Sequence, residues 1–352
     1  MSQSVTLAAR ARTRALPPSP SVAVVGATGA VGSEMIACLE RRKFPLSRLK
    51  LLASPRSAGL SAKFQGRDVR IDAMDAASLE DVDIALFSAG SSISKEFAKT
   101  APRKTVIIDN SSAFRMDEDV PLVVPEINGP AAFDHKGVIA NPSCVAIIAA
   151  LPLWPLHREN KVRRIVAATY QAASGAGAAA MEELRASTEA YLANRPFEPR
   201  VLPHPYAFNV FSHNARVDPD SGENQEEMKV ARELPKIMNA PELRVGITCV
   251  RVPVLRAHTI AMTVEFERPV SPDAAREILA HAPGLDIVDD HAANRFPMPR
   301  DASGRDNVLV GRLREDKSDP TGRSLSMLVA GDQLLKGAAL NAVQIAELLM
   351  KQ

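Results

Sequence analysis

The sequence predicts an α/β protein: an N-terminal, Rossmann-like, doubly wound parallel sheet, followed by a second α+β domain with a mixed sheet. Up to about Cys144, short apolar segments alternate with helical segments, and loops rich in Gly, Ser or Asn follow the apolar segments. This alternation is typical of a parallel sheet with helices on both faces. Beyond Cys144, longer β-branched segments follow one another, which favours a mixed or antiparallel sheet. A length of 352 residues fits two domains, at roughly 100–200 residues per domain.

The first predicted strand is the apolar segment 21–25, SVAVV, which has the composition of a fully buried parallel strand. A glycine-rich loop follows it, and then a helix that extends to about Arg42. The other strands of this part are expected at 49–53, 82–87, 105–109 and 138–140.

The second part begins with a helix candidate at 145–151, which we expect to be broken by Pro152 and Pro155 because proline removes a helical hydrogen bond. The segments 245–254 and 259–266 are expected to pair with each other as strands. The other elements are expected to be strands at 164–170, 308–313 and 324–330, a helix at 178–192, and an amphipathic helix at 334–349.

These elements predict a tail at 1–20, a first domain at 21–146, a second domain at 147–330, and a C-terminal segment at 331–352 that packs back on the first domain. The tail contains three arginines and no acidic residue. That composition fits an organelle transit peptide or an ordinary N-terminal tail. We favour the tail because the segment is short.

Composition excludes several classes of protein. Lys and Arg number 43 against 41 Asp and Glu, so the net charge of +2 argues against a binder of nucleic acid. No apolar run approaches the roughly 20 residues that span a bilayer. Three cysteines are an odd number that does not suit a disulfide framework, and they favour a reduced, cytoplasmic compartment. No His or Cys pair has the spacing of a metal site, so we expect no metal.

A dinucleotide site is predicted at the first loop, where the glycines follow the spacing GxxGxxG (Gly26, Gly29 and Gly32). Glycine lets the backbone approach a pyrophosphate, and the helix that follows offers free N–H groups and a positive dipole end. A glycine-rich turn that binds nothing remains the alternative.

The second strand favours NADP over NAD. An NAD site usually has Asp or Glu at the end of this strand for the ribose hydroxyls. The sequence here is LASPRS, without an acid, and Arg56 beside Ser57 could hold a 2′-phosphate. A solvated Arg56 without a ligand is the other interpretation.

Cys144 is the candidate nucleophile. It stands in NPSC at the start of an apolar helical run, and a helix N-terminus stabilises a thiolate. Spacing alone leaves it equally open that Cys144 is a small buried apolar residue. A thiolate beside NADP suggests that an aldehyde is oxidised through a thiohemiacetal to a thioester, which inorganic phosphate then releases as an acyl phosphate.

Several segments together resemble the aspartate-β-semialdehyde dehydrogenase family, in the branch of Gram-positive bacteria and plants. The resemblance extends over nearly the whole chain from about residue 21. The matching segments are GATGAVG (26–32), LASPRSAG (52–59), VDIALFSAGSSISKEF (82–97), IDNSSAFRMDEDVPLVVPEIN (108–128), NPSC (141–144), TYQAASGAG (169–177), EEMK (226–229), CVRVPVLRAH (249–258) and GDQLLKGAALNAVQIAE (331–347).

The resemblance implies roles for individual residues. Cys144 would be the acyl-thioester nucleophile, His258 the general acid/base that takes the thiol proton, and Gln171 the residue that orients the substrate. Arg251 would hold the α-carboxylate with its two-pronged donor geometry, and Glu226 would meet the α-ammonium group. The phosphate group would be bound by Arg115, Lys229 and Asn141. The NADP site would be lined by Gly26, Thr28, Gly29, Ala30, Val31, Gly32, Arg56, Ser57, Ser174, Gly175 and Asn341.

Without the resemblance these residues keep structural alternatives. A single histidine such as His258 is more often structural than catalytic, and Arg251 could be an ordinary ion-pair partner. Glu226 and Lys229 could form a helical-spacing pair on a solvated face. Gln171 is harder to explain structurally, because the small residues on both sides of it suggest close approach to a bound molecule.

The implied activity is NADPH-dependent, reversible reductive dephosphorylation of 4-phospho-L-aspartate to L-aspartate 4-semialdehyde, on the route to lysine, threonine, methionine and isoleucine. N-acetyl-γ-glutamyl-phosphate reductase shares the glycine loop and the thiol chemistry and is the alternative. Glu226 discriminates between them, because an acid suits a free ammonium and not an acetamide. The implied partners are a small-molecule substrate, inorganic phosphate and a second copy of the chain, without nucleic acid or membrane; the implied second domain is catalytic and dimerising.

Overall fold

The computed structural model describes residues 16–351. The predicted tail at 1–20, with its transit-peptide alternative, falls for the most part outside the described residues. The chain forms two compact units, of which one contains the described residues up to Ser143 together with those from Ala338 onward. The other unit is Cys144–Gly337.

Fourteen strands and nine helices lie within the described residues. The strands are β1 Ser21–Val25, β2 Arg48–Ala53, β3 Ser61–Phe64, β4 Arg67–Ala73, β5 Ile84–Phe87, β6 Val106–Asp109, β7 Val138–Ala140, β8 Val162–Gln171, β9 Phe211–Ser212, β10 Arg244–Arg251, β11 His258–Phe266, β12 Leu285–Ile287, β13 Val308–Glu315 and β14 Ser324–Gly331. The helices are α1 Ala30–Arg41, α2 Ser91–Thr100, α3 Pro125–Asn128, α4 Cys144–Glu159, α5 Ala178–Leu192, α6 Gln225–Ile237, α7 Pro272–Ala280, α8 Pro299–Ala302 and α9 Leu340–Leu349.

The first unit is built on a seven-stranded sheet with the order β3-β4-β2-β1-β5-β6-β7. All of its pairs are parallel except β3 with β4, which form an antiparallel hairpin. The predicted parallel sheet is therefore confirmed. The hairpin was not predicted, although its turn residues Gln65 and Gly66 have φ of 50° and 75°, as the tightest hairpin turns require.

The second unit contains a mixed seven-stranded sheet with the order β12-β13-β14-β11-β8-β10-β9, as predicted. The expected pairing of 245–254 with 259–266 is wrong. Strand β8 lies between β10 and β11, parallel to the first and antiparallel to the second. The connecting residues 252–257 cross the end of β8, where Ala173 N donates to Val254 O at 2.8 Å and Ser174 N to Leu255 O at 3.0 Å.

Helix α4 continues through Pro152 and Pro155 to Glu159, so the expected break at 151 is wrong. Each proline removes one helical hydrogen bond, at a cost of about 3 kcal/mol. Every residue from Val145 to Leu153 is buried. Burial of this apolar surface on all sides outweighs the missing bonds, since a buried Leu or Ile contributes about 1.5–3 kcal/mol.

The C-terminal helix also differs from its prediction. Residues Leu335–Ala339 form a π-helical turn, and α9 then begins at Leu340. Most residues of α9 are buried, so the helix lacks the exposed polar face that its predicted amphipathic character implies. It lies against α1 within the first unit, where Arg42 Nε and Glu347 Oε1 are 2.6 Å apart.

One face of the second sheet is covered and the other is open. Helices α4, α6 and α7 belong to the covered side, while Val166 and Tyr170 on β8 are 45% and 42% exposed. Strand residues alternate between faces. Thr169 and Gln171 of β8 therefore face the buried side, and both are buried.

Helix α6 begins with a complete capping box. Asn224 Oδ1 accepts from the backbone N–H groups of Glu226 and Glu227 at 3.0 Å each, and Glu227 Oε2 accepts from Asn224 N at 2.8 Å. Glu227 Oε1 also accepts from Cys249 N at 2.9 Å, which ties the helix to β10. The start of α6 is thus fixed at the buried face of the sheet.

We expect Asn224→Ala to lower the free energy of unfolding by about 1–2 kcal/mol, because two buried N–H groups lose their acceptor. Ser271→Ala is the matched control: Ser271 caps α7 through a single bond to Ala274 N at 3.2 Å, so its loss should be smaller, about 0.5–1 kcal/mol. Urea denaturation of both variants measures the two values. Equal losses would contradict the importance of the capping box.

Candidate active site

Two positions of the glycine loop require glycine because neighbouring backbone atoms leave no room for a Cβ. Gly26 has φ +86°, and a Cβ there would lie 2.4 Å from Ser88 O. A Cβ at Gly32 would lie 2.1 Å from Gly26 O. Both distances are well below contact distance, so these two glycines are explained sterically whatever the loop binds. Gly29 forms the start of α1 with extended backbone and no side-chain cap.

The ligand-facing features of this loop are backbone donors and exposed side chains. Helix α1 begins at Ala30, so its first N–H groups are directed into the loop. Thr28 is exposed and its Oγ1 lies 3.4 Å from Ser57 Oγ. Arg56 is exposed beside them in a short 3₁₀ turn. The arrangement fits a dinucleotide phosphate at the helix and a further phosphate near Arg56.

Three predicted residues of the first unit form one buried network. Arg115 donates from Nε to Asn141 O at 2.9 Å and from Nη2 to Asn110 O at 2.8 Å. Asn341 Nδ2, on α9, donates to Asn141 Oδ1 at 2.7 Å and to Val123 O at 2.9 Å. Asn341 therefore positions Asn141, and its Nδ2 is already committed to protein acceptors.

In the second unit, two predicted residues are brought together by strand register. Arg251 at the end of β10 pairs with Gln171 at the end of β8. Both face the buried side, with 2% and 1% of their surface exposed. The sequence placed them 80 positions apart without indicating this contact; the parallel pairing of β8 and β10 decides it.

Arg251 is held by neutral acceptors. Its Nε donates to Asn214 Oδ1 and its Nη1 to Ala172 O, each at 3.0 Å. Among residues 16–351, no carboxylate lies within ion-pair distance of it, so the structural alternative of an ordinary ion pair does not apply. Burial lowers its pKa, and nearby Tyr206, Cys144 and Glu226 act in the opposite direction. A buried cation without an anion is costly, and this one is suited to receive the carboxylate of a ligand.

Thr169 fixes the amide of Gln171. Thr169 Oγ1 donates to Gln171 Oε1 at 3.0 Å, and both residues are buried. This bond identifies Oε1 as the acceptor and turns Nε2 towards Glu226, with Nε2 and Glu226 Oε1 3.5 Å apart. The amide N–H group is therefore the part of Gln171 that faces Glu226.

Glu226 and Lys229 lie one helical turn apart at the start of α6. Lys229 Nζ is 3.4 Å from Glu226 Oε2, and the side chain of Lys229 is 36% exposed against 10% for Glu226. A pair of this exposure contributes little stability. Because Glu226 is buried and within reach of Gln171, it lies on the side of the helix that faces β8 and not on a solvated face.

His258 is fully buried at the first position of β11. Its Nδ1 accepts from Ala172 N at 3.0 Å, and its Nε2 is a buried polar atom without a hydrogen-bond partner among the described residues. Burial, followed by the positive charge of Arg251 and then by His213, places the pKa of His258 well below 6.5. The preceding residue, Ala257, has φ +71°, a strained conformation for a residue with a Cβ.

Cys144 is the first residue of α4 and is half-buried, so it has the helix-start position that the sequence predicted. A Cβ on Gly337 would lie 2.9 Å from Cys144 Cβ, so glycine is required there to leave room for the cysteine. The other two cysteines, Cys38 and Cys249, are buried, and burial raises the pKa of Cys249 to about 12.

Ser174 and Gly175, expected at the cofactor, belong to the same unit as His258 and Arg251. Ser174 Oγ accepts from Gln333 Nε2, and Gln333 Oε1 accepts from Ala257 N at 2.9 Å. A Cβ on Gly175 would lie 3.0 Å from His258 Nε2 and 3.1 Å from Arg251 Nη1. Gly175 therefore borders the space into which both groups open. Its place at the cofactor stays a prediction.

Several residues that position this cluster could not be recognised from the sequence. Each of them contacts or electrostatically influences a predicted site residue, and no sequence motif indicates that interaction. These residues are Thr169, Asn214, Tyr206, His213 and Gln333. His213 is neutral, because burial and then Arg251 lower its pKa to about 4. Asn214 follows it directly and could have been found only from the fold.

The described part of the chain contains no group of three or more His, Cys, Asp and Glu that could hold a metal ion. None of its helices is both long enough and apolar enough to cross a membrane.

Comparison with known proteins places this geometry in a family. Residues 21–135 match the family model of the semialdehyde dehydrogenase NAD binding domain, and residues 153–336 match that of the semialdehyde dehydrogenase dimerisation domain. Together they cover more than half of the chain. The chain thus carries the NAD(P)-binding domain of an oxidoreductase.

Individual relatives of the chain belong to the same family of enzymes. The aspartate-semialdehyde dehydrogenase of Synechocystis is 50% identical, over 95% of this chain and 99% of its own length. That of Bacillus subtilis is 42% identical over 94% and 96%. The crystal structure of aspartate semialdehyde dehydrogenase II from Vibrio cholerae, complexed with ASA, superposes with a TM-score of 0.90 at 40% identity and covers 95% of this chain and 99% of that one. The chain therefore belongs to the aspartate-semialdehyde dehydrogenase family.

Proposed function

We propose that this protein catalyses the reversible, NADPH-dependent reductive dephosphorylation of 4-phospho-L-aspartate to L-aspartate 4-semialdehyde through a thioester on Cys144. The observation that carries the proposal is the buried guanidinium of Arg251, which is bonded only to neutral acceptors beside Gln171. Such a cation requires an anionic ligand. The product serves the biosynthesis of lysine, threonine, methionine and isoleucine.

The α-amino acid end of the substrate is assigned to Arg251 and Glu226. The guanidinium binds the carboxylate in a bidentate manner, and the carboxylate of Glu226 meets the ammonium group. Gln171 supports the reacting acyl group with its amide N–H, because Thr169 holds the amide oxygen at 3.0 Å. N-acetyl-γ-glutamyl-phosphate reductase is not favoured, since an acetamide offers no charge to Glu226 and the relatives described above carry the aspartate-semialdehyde name.

Phosphate binding is assigned to Arg115, Asn141 and Lys229. The guanidinium of Arg115 is oriented by Asn141 O and Asn110 O, which supports a fixed donor geometry for a tetrahedral anion. Lys229 adds a partly exposed ammonium charge. Both side chains are positively charged, as a dianionic leaving group requires.

NADP is assigned to the first unit. The residues present fit it: α1 offers its N-terminal N–H groups after the loop formed by Gly26 to Gly29, and Thr28 is exposed beside Ser57. Arg56 is suited to the 2′-phosphate, which favours NADP over NAD. When bound, the cofactor supplies the hydride for reduction of the thioester. Ser174, Gly175 and Asn341 remain assigned to this site by the family resemblance alone.

A homodimer formed through the second unit is proposed from the open face of its sheet. Val166 and Tyr170 are both large and exposed there, and such apolar patches commonly mark interfaces. The matched dimerisation model spans this sheet. We also propose that the chain belongs to the branch of its family found in Gram-positive bacteria and plants, which the Bacillus subtilis relative supports. A cytoplasmic location is proposed as well, and the three free cysteines support it.

The domain roles follow the same assignment. The segment 21–146, with 331–352 packed on it, is proposed as the NADP-binding domain, and 147–330 as the catalytic and dimerising domain. The two compact units of the described chain support a two-domain division, but they divide at Cys144 and Ala338, so that residues 144–146 and 331–337 lie in the second unit.

Cys144→Ala should abolish phosphate-dependent reduction of NADP by aspartate semialdehyde, by on the order of 10⁴-fold or more in kcat, because no thioester can form. Cys38→Ala is the control, since Cys38 is buried in the core of the first unit and should leave kcat almost unchanged. Absorbance of NADPH measures the rate, and equilibrium dialysis checks that NADP still binds. Full activity of Cys144→Ala would disprove the mechanism.

Arg251→Leu should raise KM for the aldehyde roughly 30- to 1000-fold, the equivalent of about 2–4 kcal/mol for a lost buried charge pair. KM for NADP should change little. Arg268→Leu removes an exposed arginine of the same unit and should leave both constants unaltered. An unchanged aldehyde KM in Arg251→Leu would remove Arg251 from the carboxylate site.

Arg56→Glu should raise KM for NADP by about tenfold or more, because a carboxylate repels the 2′-phosphate that the guanidinium attracts. The rate with NAD should fall less than the rate with NADP, or should rise. Arg67→Glu reverses the charge at another exposed position of the same unit and is the control. Steady-state assays with both cofactors test this, and equal effects on NADP and aldehyde constants would contradict the cofactor assignment.

A further inference from the structure

The hydrogen bonds of Arg251 leave only its terminal nitrogens for a ligand. A guanidinium carries its N–H donors in a planar fork. The Nε–H donates to Asn214 Oδ1 and one N–H of Nη1 donates to Ala172 O, each at 3.0 Å. Within residues 16–351 the side chain makes no other hydrogen bond. The edge formed by Nε and Nη2 is therefore occupied, and a ligand carboxylate has to be bound at Nη1 and Nη2.

The terminal nitrogens border the space at Gly175. A Cβ on Gly175 would lie 3.1 Å from Arg251 Nη1 and 3.0 Å from His258 Nε2, so glycine keeps this space open. Gln171 lies opposite Arg251 on the paired strand. A carboxylate bound at the terminal nitrogens therefore lies beside the residues assigned to the rest of the substrate, and the orientation of the guanidinium matters for binding.

Backbone contacts hold Asn214 against Arg251. Strand β9 pairs antiparallel with the end of β10, and directly after it His213 N donates to Cys249 O at 2.9 Å. His213 Nδ1 also accepts from Ala215 N at 3.1 Å, across the position of Asn214. None of these bonds involves the side chain of Asn214. We therefore expect its replacement to leave the backbone in place.

An uncharged acceptor is the less stable choice at position 214. Arg251 is 2% exposed, and a carboxylate would accept from it in a charge-assisted hydrogen bond, roughly twice as strong as a neutral one. A carboxylate would also offset the desolvation of the cation. Asn214 is exposed, so the fold can accommodate a carboxylate there. Stability alone thus favours aspartate, whereas asparagine leaves the charge of Arg251 for a ligand.

We propose that Asn214 is a positioning residue that determines the specificity of the site for an α-carboxylate. Its amide oxygen holds Nε of Arg251 and turns the terminal nitrogens towards the substrate. Its lack of charge leaves the guanidinium cationic, so that the substrate neutralises it. This inference rests on the proposed function and deepens it. Asn214 acts through Arg251 and takes no part in the chemical step.

Two replacements of Asn214 separate this role from a purely structural one. Asn214→Asp keeps the shape and the acceptor oxygen but adds a negative charge, whereas Asn214→Ala removes the acceptor and adds no charge. The aldehyde KM should rise about 10- to 100-fold in Asn214→Asp, because the new carboxylate neutralises Arg251 and repels the carboxylate of the substrate. It should rise about 3- to 10-fold in Asn214→Ala, which loses only an orienting hydrogen bond. In both variants kcat should change less than KM.

Thermal unfolding should rank the two variants in the opposite order. Asn214→Asp should unfold at the wild-type temperature or up to about 4 °C above it, because the new ion pair stabilises the buried cation. Asn214→Ala should unfold at or below the wild-type temperature. A structural role alone would rank both properties alike, with Asn214→Asp as active as the wild type. An aldehyde KM in Asn214→Asp at or below that of Asn214→Ala would overturn the proposal, as would unfolding of Asn214→Asp below Asn214→Ala.

Asn294→Asp is the matched control for the added charge. Asn294 is an exposed asparagine of the same unit, in the turn between the bridged residues Asp290 and Arg295. Its aldehyde KM should equal that of the wild type, and KM for NADP should be unaltered in all three variants. An equal rise of the aldehyde KM in Asn294→Asp and Asn214→Asp would show an effect of net charge and would overturn the assignment to Asn214.

Binding without turnover separates failure of this inference from failure of the proposed function. L-Aspartate 4-semialdehyde is titrated calorimetrically into Cys144→Ala and into the double variant that also carries Asn214→Asp. The Kd should be about 10- to 100-fold weaker in the double variant. Equal values would overturn the role of Asn214 alone. A wild-type protein without phosphate-dependent activity on this aldehyde would refute the proposed function and, with it, this inference.

Discussion

A buried positive charge without a carboxylate partner organises the second unit. The guanidinium of Arg251 is held in place by Asn214 Oδ1 and Ala172 O, both neutral, and it is almost fully removed from water. Desolvation of a cation is expensive, so the surrounding fold has to supply the energy that keeps it there. The extensive pairing of β8 with β10 and β11 does this, since all three strands lie in the interior of the sheet.

The peptide groups on either side of Ala172 connect the chemistry of two side chains. The N–H of this residue is bonded to His258 Nδ1, and its carbonyl oxygen accepts from Arg251 Nη1. A shift in this short loop would therefore disturb the position of the histidine ring and the direction of the guanidinium together. Gln333 restrains the same region, since it bonds both Ser174 and Ala257. The strained backbone of Ala257 is retained in this setting.

Segments with one dominant local signal were predictable. The first strand, Ser21–Val25, and helix α5 were located to the residue, because an unbroken β-branched run and a long run of helix formers each have a single good conformation. Helix α4 was not, because the two prolines oppose helix locally and only burial in the second unit outweighs them. The strand order β11-β8-β10 could not be predicted either. Strands that are neighbours in sequence usually pair, whereas here β8 lies between β10 and β11.

The sequence by itself predicted the family, the α/β class, the glycine loop and the position of Cys144 at a helix start, because these depend on residue types and their local spacing. Gln171, Arg251 and His258 were singled out only through the resemblance to the family. Tertiary structure decided what these side chains can do. Register placed Arg251 opposite Gln171, Thr169 set the direction of the amide, and the backbone N–H of Ala172, just beyond the end of β8, bound the ring of His258 at Nδ1. A hydrogen bond between residues 86 positions apart depends on distances of a fraction of an ångström, and no pattern in the amino-acid order records them.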